Sequence, residues 1–453
     1  MTSKTFIEDL PKENIIDDLE DKKEKNKMSD IDNDKLAELR KKLAKKEEDE
    51  MPAKVVVKSE KSINFGVIGS GQAGGRLAET FYRLGYDAVA VNTATQDLKF
   101  LNLPETNKLL LEFGLGGAAR ELDLGKAAAE AHKDKIMELV NNQLADAQVL
   151  VFCLSLGGGS GAGSCETIVD LLTSTGKPLM VMTVLPMESE DAQTKHNALE
   201  TLSKLTKFAQ TKRIANLVVV DNAKIESLFS DVGQMDFYNV ANRAIVEPLD
   251  VFNKLSSMPS NVKPLDPTEL AKILIDGEGL TTYGEIKVSN YSDETAIAEA
   301  VVENLNSNLL ASGFDLKQAK YVGVLLTANK EVWKKIPSVA VNYATAMISD
   351  HCGTPKGIFK GVYTTEDTED CVKVYSMFSG LGLPMSRVEQ LKKEAQTLTQ
   401  TVKTKDEQRN LTLNLDSGKD ETVSKVQEIK NKIAAKSSTF GKFTTGVVDR
   451  RKG

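Results

Sequence analysis

The sequence predicts an α/β protein: a mainly parallel sheet wrapped by helices, a long central helix, a second and smaller α+β domain, and charged tails at both ends. Three observations carry that expectation. Apolar runs of strand length alternate with stretches of helical periodicity between about residues 63 and 220, the pattern of successive βαβ units. Two of those runs pass directly into glycine clusters that open helices. Outside the middle of the chain the composition turns to Lys, Glu and Asp, with apolar residues too sparse to bury a core.

The elements follow in order. Ile63 to Ile68 reads as the first strand and meets Gly69-Ser70-Gly71-Gln72-Ala73-Gly74-Gly75, after which Arg76 to Leu84 has helical periodicity. Ala88 to Val91 is a second strand that ends at Asn92-Thr93. Ala147 to Leu154 is a third and runs into Gly157 to Ser164, which leads to a helix over Glu166 to Thr173. Leu179 to Leu185 and Leu217 to Val220 are further strands. A long helical segment, Phe237 to Leu255, enters the second part, where Tyr321 to Leu326 and Gly361 to Tyr363 read as strands and Glu294 to Leu310 and Ser338 to Ser349 as helices. The expected segments are a charged N-terminal extension (1–61), a nucleotide-binding domain (62–236), the central helix (237–258), the second domain (259–397) and a C-terminal tail (398–453). Within the extension, Asp34 to Glu50 has the charge spacing of an isolated helix with i,i+4 ion pairs.

Composition excludes several classes. The 453 residues, 41% hydrophobic and 27% charged, leave room for two cored domains and do not describe a wholly disordered chain. No apolar run approaches the roughly 18–20 residues of a membrane span, and no signal-peptide pattern opens the chain, so a cytoplasmic protein is expected. The 4 cysteines show no CxxC spacing and the 3 histidines are scattered, so reduced thiols and no protein metal centre are expected. A net charge of −7 argues against a protein whose whole surface binds nucleic acid, and the terminal Arg450-Arg451-Lys452, a run that is usually solvated although it has the charge to touch an acidic partner or DNA, does not support direct DNA binding.

Glycine clusters at strand-to-helix turns suit phosphate: without a Cβ, several backbone N–H groups approach the anion, and the helix N-terminus adds partial positive charge. Gly69-x-Gly71-x-x-Gly74 also fits a dinucleotide fingerprint. That fingerprint calls for an acidic residue after the second strand, however, and Asn92 stands there. Leu156 to Ser164 is more specific, and it is not a Walker loop because no GK[ST] follows.

Gly157 to Ser164 resembles the GGGTGTG or GGGTGSG loop of the tubulin/FtsZ superfamily, and the other loops of that family then occur in order. Gly71-Gln72-Ala73-Gly74 resembles the GQxG phosphate loop, and Ala90-Val91-Asn92-Thr93 resembles AVNTD. The stretch from Phe113 to Ala128 is similar to the γ-phosphate loop, Leu185 to Glu190 to the PFxFE ribose loop, and Ala241-Asn242-Arg243 to the AND that reaches guanine. The likeness spans about Ile63 to the 390s, with the divergent plasmid and phage tubulins as the nearest type. It implies a Rossmann-like GTPase domain that binds GTP/GDP with Mg²⁺ in a bacterial or infected-host cytoplasm. The nucleotide would be held by Gly69, Gly71, Gln72, Ala73, Gly74, Gly75, Arg76, Asn92, Gly116, Gly117, Ala118, Gly157, Gly158, Gly159, Ser160, Gly161, Ala162, Gly163, Glu188, Glu190, Asn222 and Asn242.

The resemblance further implies that each pocket is completed by acids from the next subunit, here Asp266 and Glu269 in Val262-Lys263-Pro264-Leu265-Asp266-Pro267-Thr268-Glu269, and that subunits join head to tail into filaments. By spacing alone, Asp266-Pro267-x-Glu269 is a helix start, with Asp266 as N-cap, Pro267 at N1 and Glu269 at N3. The two roles are compatible. Pro264 occupies the usual Asn position, and Gly75, followed by Arg76, stands where tubulins place Asn; Pro264 and Gly75 favour a nucleotide-binding relative that neither hydrolyses nor polymerises. A second rival, an NAD-dependent Rossmann enzyme, rests on the first glycine cluster alone. Self-assembly is the expected partnership, with an adaptor docking through the tails as an addition. Cys165 beside the glycine loop is expected to be a packed residue.

Overall fold

The structure is a computed structural model that describes residues 60–228, 233, 237–293, 295–308 and 310–408. The N-terminal extension up to residue 59, with its expected helix over Asp34 to Glu50, and the C-terminal tail from residue 409, with Arg450-Arg451-Lys452, lie outside the described residues. Contacts divide the chain into Met1–Gln400, which holds all the strands described, and Thr401–Gly453, whose described residues 401–408 are helical.

The first half reads β1 (Phe65–Ser70), α1 (Gly71–Arg83), β2 (Asp87–Asn92), α2 (Thr95–Lys99), β3 (Lys108–Leu110), α3 (Leu122–Ala131), α4 (Lys133–Gln143), β4 (Val149–Ser155), α5 (Gly159–Ser174), β5 (Leu179–Leu185), α6 (Ala192–Gln210), β6 (Asn216–Asp221) and α7 (Asn222–Leu228). The central helix is α8 (Phe237–Leu255). There follow α9 (Pro267–Leu274), β7 (Leu280–Val288), α10 (Ala296–Ser307), β8 (Tyr321–Asn329), α11 (Lys330–Trp333), α12 (Ser338–Cys352), β9 (Gly357–Thr365), β10 (Val372–Leu381) and α13 (Met385–Gln408).

The ten strands among the described residues form one sheet in the order β3-β2-β1-β4-β5-β6-β7-β10-β8-β9. Pairing is parallel from β3 through β6, and β10 runs antiparallel to both β7 and β8. The two halves of the sheet meet through only two residue pairs, Leu217 with Leu280 and Val218 with Thr281. The strands are apolar on both faces because helices cover both. Along β4, Leu150, Phe152 and Leu154 enter one core cluster, whereas Val149, Val151 and Cys153 enter the other. β5 divides in the same way, with Val181 on one face and Met180 and Met182 on the opposite one, as the two-residue period of a strand requires.

The central helix is seated by its own sequence. Ile245, Val246, Leu249 and Phe252 are buried in the second core. At its far end Asn253 accepts from the Ile63 N–H at 2.8 Å and donates back to the Ile63 carbonyl at 2.8 Å, which ties the helix to the lead-in of β1. Asp250 beneath it accepts the Tyr86 hydroxyl at 2.9 Å and lies 2.6 Å from the Lys254 ammonium.

Candidate nucleotide site

In the strand order 3-2-1-4-5-6, successive crossovers leave β1 in opposite directions, and a crevice opens at the carboxyl ends of β1 and β4. A cleft of about 430 Å³ lies there. Its floor is two helix N-termini. α1 starts at Gly71 directly after β1, and α5 starts at Gly159 with Gly158 as its N-cap. The two starts touch: a Cβ on Gly71 would lie 3.0 Å from the Gly161 nitrogen, and Gly71 has φ +73°, a left-handed conformation that glycine adopts without strain. First-turn N–H groups of both helices have no intrahelical partner, so two positive dipole ends converge on one crevice.

The walls are loops locked to that floor. Thr93 and Ser160 hydroxyls are 2.5 Å apart, and the Gly117 N–H donates to the Thr93 carbonyl at 2.8 Å. Asn197 of α6 bridges two loops, donating to the carbonyls of Arg120 at 2.7 Å and Gly157 at 3.2 Å. Arg120 pairs with Asp191, which also caps α6 by accepting the Thr194 N–H at 2.9 Å. Burial raises the Asp191 carboxyl, but the Thr194 hydrogen bonds and Arg120 outweigh it and leave the group below the usual range. Next to it, burial holds the Glu190 carboxyl above its ordinary value despite the 2.9 Å hydrogen bond from the Met187 N–H.

Of the expected residues, the structure brings Gly71, Gln72, Ala73, Arg76, Gly117, Ala118, Gly157, Gly158, Gly159, Ser160, Gly161, Glu190, Asn222 and Asn242 to this one cleft. Gly69, Gly74, Gly75, Asn92, Gly116, Ala162, Gly163 and Glu188 do not line it. Gly74 is where α1 crosses β4, and a Cβ there would run into the Cys153 carbonyl. Gly163 serves a helix crossing, since a Cβ on it would collide with the Leu122 carbonyl of α3, and one on Gly125 with the Gly159 carbonyl. The second glycine run therefore divides into a cleft floor and a close helix contact. Asn92 acts one step back: its side-chain oxygen accepts the Ala94 N–H at 3.1 Å and its amide holds Asp97, a cleft residue, at 3.0 Å.

Sequence reasoning missed Asp97, Thr194, Tyr238 and Ile245 as cleft residues. Tyr238 and Ile245 were within reach, because with Asn242 they recur at i, i+4 and i+7 along the central helix and so share one face. The Arg76 guanidinium stacks on the Tyr238 ring at 4.3 Å, which gives the departure at position 76 a partner across the cleft. Cys165 is buried and its thiol is pushed up to about 12 by that burial, as suits a packed residue.

Asp266 and Glu269 also stay out of this cleft. At the start of α9 Asp266 is exposed and Glu269 half-buried, and the two form a reciprocal capping box, with the Glu269 N–H donating to Asp266 Oδ1 at 2.8 Å and the Asp266 N–H donating to Glu269 Oε2 at 3.2 Å. The loop before them is pinned by the Leu265 N–H donating to the Tyr363 hydroxyl at 2.8 Å.

Fold and cleft together define a doubly wound nucleotide-binding protein with a glycine-built anion floor. Residues 64–230 match the GTPase domain of the tubulin/FtsZ family, and residues 251–392 match the C-terminal domain of TubZ-like members of that family. The chain belongs to the tubulin/FtsZ family. It is 27% identical over 324 residues to the tubulin-like protein CetZ of Pyrococcus abyssi, covering 70% of this chain and 85% of that one. To the tubulin-like protein TubZ of Bacillus cereus it is 24% identical over 354 residues, 71% of this chain and 80% of that one. Its fold is similar to a TubZ of Bacillus thuringiensis serovar israelensis solved as a GTPγS-form protofilament, with a TM-score of 0.68, 22% identity, and coverage of 78% and 96%. No helix among the described residues is long and apolar enough to cross a membrane.

Proposed function

We propose that the chain binds GTP in the crevice between β1 and β4, assembles head to tail with copies of itself, and hydrolyses the nucleotide with Asp266 and Glu269 supplied by the neighbouring subunit. The observation that carries this reading is the separation of two half-sites. One region of the chain has an anion floor and side walls, and the exposed Asp266 and half-buried Glu269 at the start of α9 lie outside it. A contact that joins two different surfaces does not close on itself and propagates as a filament. The solved TubZ relative, described as a protofilament, supports this geometry.

In this reading the α1 and α5 N-termini hold the phosphates, and Asn222 and Asn242 face the sugar and base. Arg76, stacked on Tyr238, adds a cation at the rim. No cluster of three His, Cys, Asp or Glu stands ready for a metal among the described residues. The donors fit Mg²⁺ only as a phosphate-bound ion, with Asp97 as the carboxylate at hand. When bound it would neutralise phosphate charge, and the protein's own work is positioning. Asp266 and Glu269 would orient water for in-line attack, and the capping box fixes where their carboxylates point.

The test is Asp266→Ala, which should bind GTP as the wild type does, lose about two orders of magnitude in turnover, and leave filaments that persist. Unchanged turnover would remove Asp266 from the mechanism. The NAD reading draws no support from the cleft, where Asn92 turns away to hold Asp97. Direct competition between GTP and NAD for the cleft separates the two.

A further inference from the structure

Five charged side chains are almost wholly buried among the described residues, and three of them, Lys195, Asp221 and Arg387, belong to one chain of contacts. Arg387, in the first turn of α13, donates through Nε to Asp221 Oδ2 at 2.7 Å and through Nη1 to Glu394 Oε1 at 3.4 Å. Glu394, two turns further along α13, accepts from the Lys195 ammonium of α6 at 2.8 Å. That same ammonium donates to the Glu188 carbonyl at 2.8 Å. These ions therefore tie α13 to the last residue of β6 and to the loop after β5.

Both attachments have the nucleotide cleft on their other side. Asn222, the residue after Asp221, lines the cleft, as do Met187 and Glu190, which bracket Glu188. Buried ion pairs return little net stability after their desolvation, so stability alone gives no reason to keep this set. Apolar packing through Val388, Leu391 and Ala395 already seats the helix. An apolar stripe resists sliding weakly, whereas charge-assisted hydrogen bonds of fixed direction define one register. The set is also not saturated: Arg387 Nη2 is buried without a hydrogen-bond partner, so a small shift of α13 changes its energy sharply.

We propose that Arg387, Glu394, Lys195 and Asp221 form a positioning relay that couples nucleotide occupancy of the cleft to the seating of α13. The inference rests on the reading of the cleft as a guanine-nucleotide site. Contacts of the nucleotide with Asn222 and with the loop carrying Glu190 stiffen the two attachment points, and α13 is then held in a single register. By linkage, fixing α13 strengthens nucleotide binding by the same factor.

The experiment is hydrogen exchange over residues 385–400 of the full chain, with and without GDP, in the wild type, Arg387→Met and Glu394→Gln. GDP binding is followed separately with a fluorescent GDP analogue. In the wild type GDP should slow exchange in this segment by about fivefold or more, the lower end of ordinary allosteric coupling. Both variants should lose that increment and bind GDP more weakly by a matching factor. A merely structural prop would speed exchange equally with and without GDP, and that result overturns the relay. Wild-type exchange that ignores bound GDP overturns it too, while leaving the cleft reading in place. Failure of the wild type to bind GDP removes both. If Arg387→Met does not fold, Glu394→Gln decides, because it keeps the side-chain shape at a position that retains some exposure.

Discussion

Asp266 carries two jobs that substitution can separate. As N-cap of α9 it accepts the Glu269 N–H, and asparagine caps a helix about as well as aspartate. Asp266→Asn should therefore keep wild-type stability and lose turnover, whereas Asp266→Ala should lose turnover together with about 1 kcal/mol of stability. Chemical denaturation beside a GTPase assay distinguishes them, and retained turnover in the Asn variant would mean that the carboxylate charge is not used. Much at this scale was legible beforehand, because the cap is written in three residue types within four positions, Asp266-Pro267-x-Glu269. Asn92 was harder. It closes β2 at a ligand-side position, so the motif places it on the nucleotide, and only the fold shows it turned to Asp97. Glu188 was hidden in the same way. Its motif marks a ribose contact, yet it lies outside the cleft and its carbonyl accepts from Lys195 in the first turn of the next helix.

At the scale of elements, the second glycine run is as much a packing device as a cradle. α3 and α5 approach so closely that a methyl at Gly125 would overlap the Gly159 carbonyl, which lies on the cleft floor. Gly125→Ala should lower stability by about 1–3 kcal/mol and weaken nucleotide binding as well, since the helix start that must yield is the one that faces the anion. Loss of stability with unchanged GTP affinity would show that the crossing and the floor are independent. The parallel strands of the first half were readable as near-continuous apolar runs because helices cover both their faces. β3 escaped because it has three residues, and β7 because Leu280–Val288 interleaves Thr, Gly, Glu and Lys with its apolar positions. β10 likewise mixes Lys, Ser and Gly into its run. The central helix was plain from its length and apolar face, and the Asn242 motif with its i, i+4 and i+7 neighbours already pointed its first turns at the cleft.

For the whole molecule, the sequence order of the loops was enough to infer a nucleotide-binding half. It did not reveal that both halves share one sheet, because a junction of two residue pairs leaves no periodic trace. If the crevice is the guanine-nucleotide site, GDP at about a hundredfold over its dissociation constant should stabilise the folded chain by about 2.7 kcal/mol. A thermal-shift series with GDP, GTP and NAD reads this directly, and stabilisation by NAD alone would contradict the proposal. The central claim is that one subunit holds the nucleotide and the next supplies the acids, and its most direct test is GTP turnover per subunit measured across protein concentration with light scattering in parallel. The account predicts almost no turnover below a threshold concentration, then a steep rise at the concentration where scattering begins. A turnover rate per subunit that stays constant from dilute to concentrated protein would contradict it, because a site complete within one chain needs no neighbour.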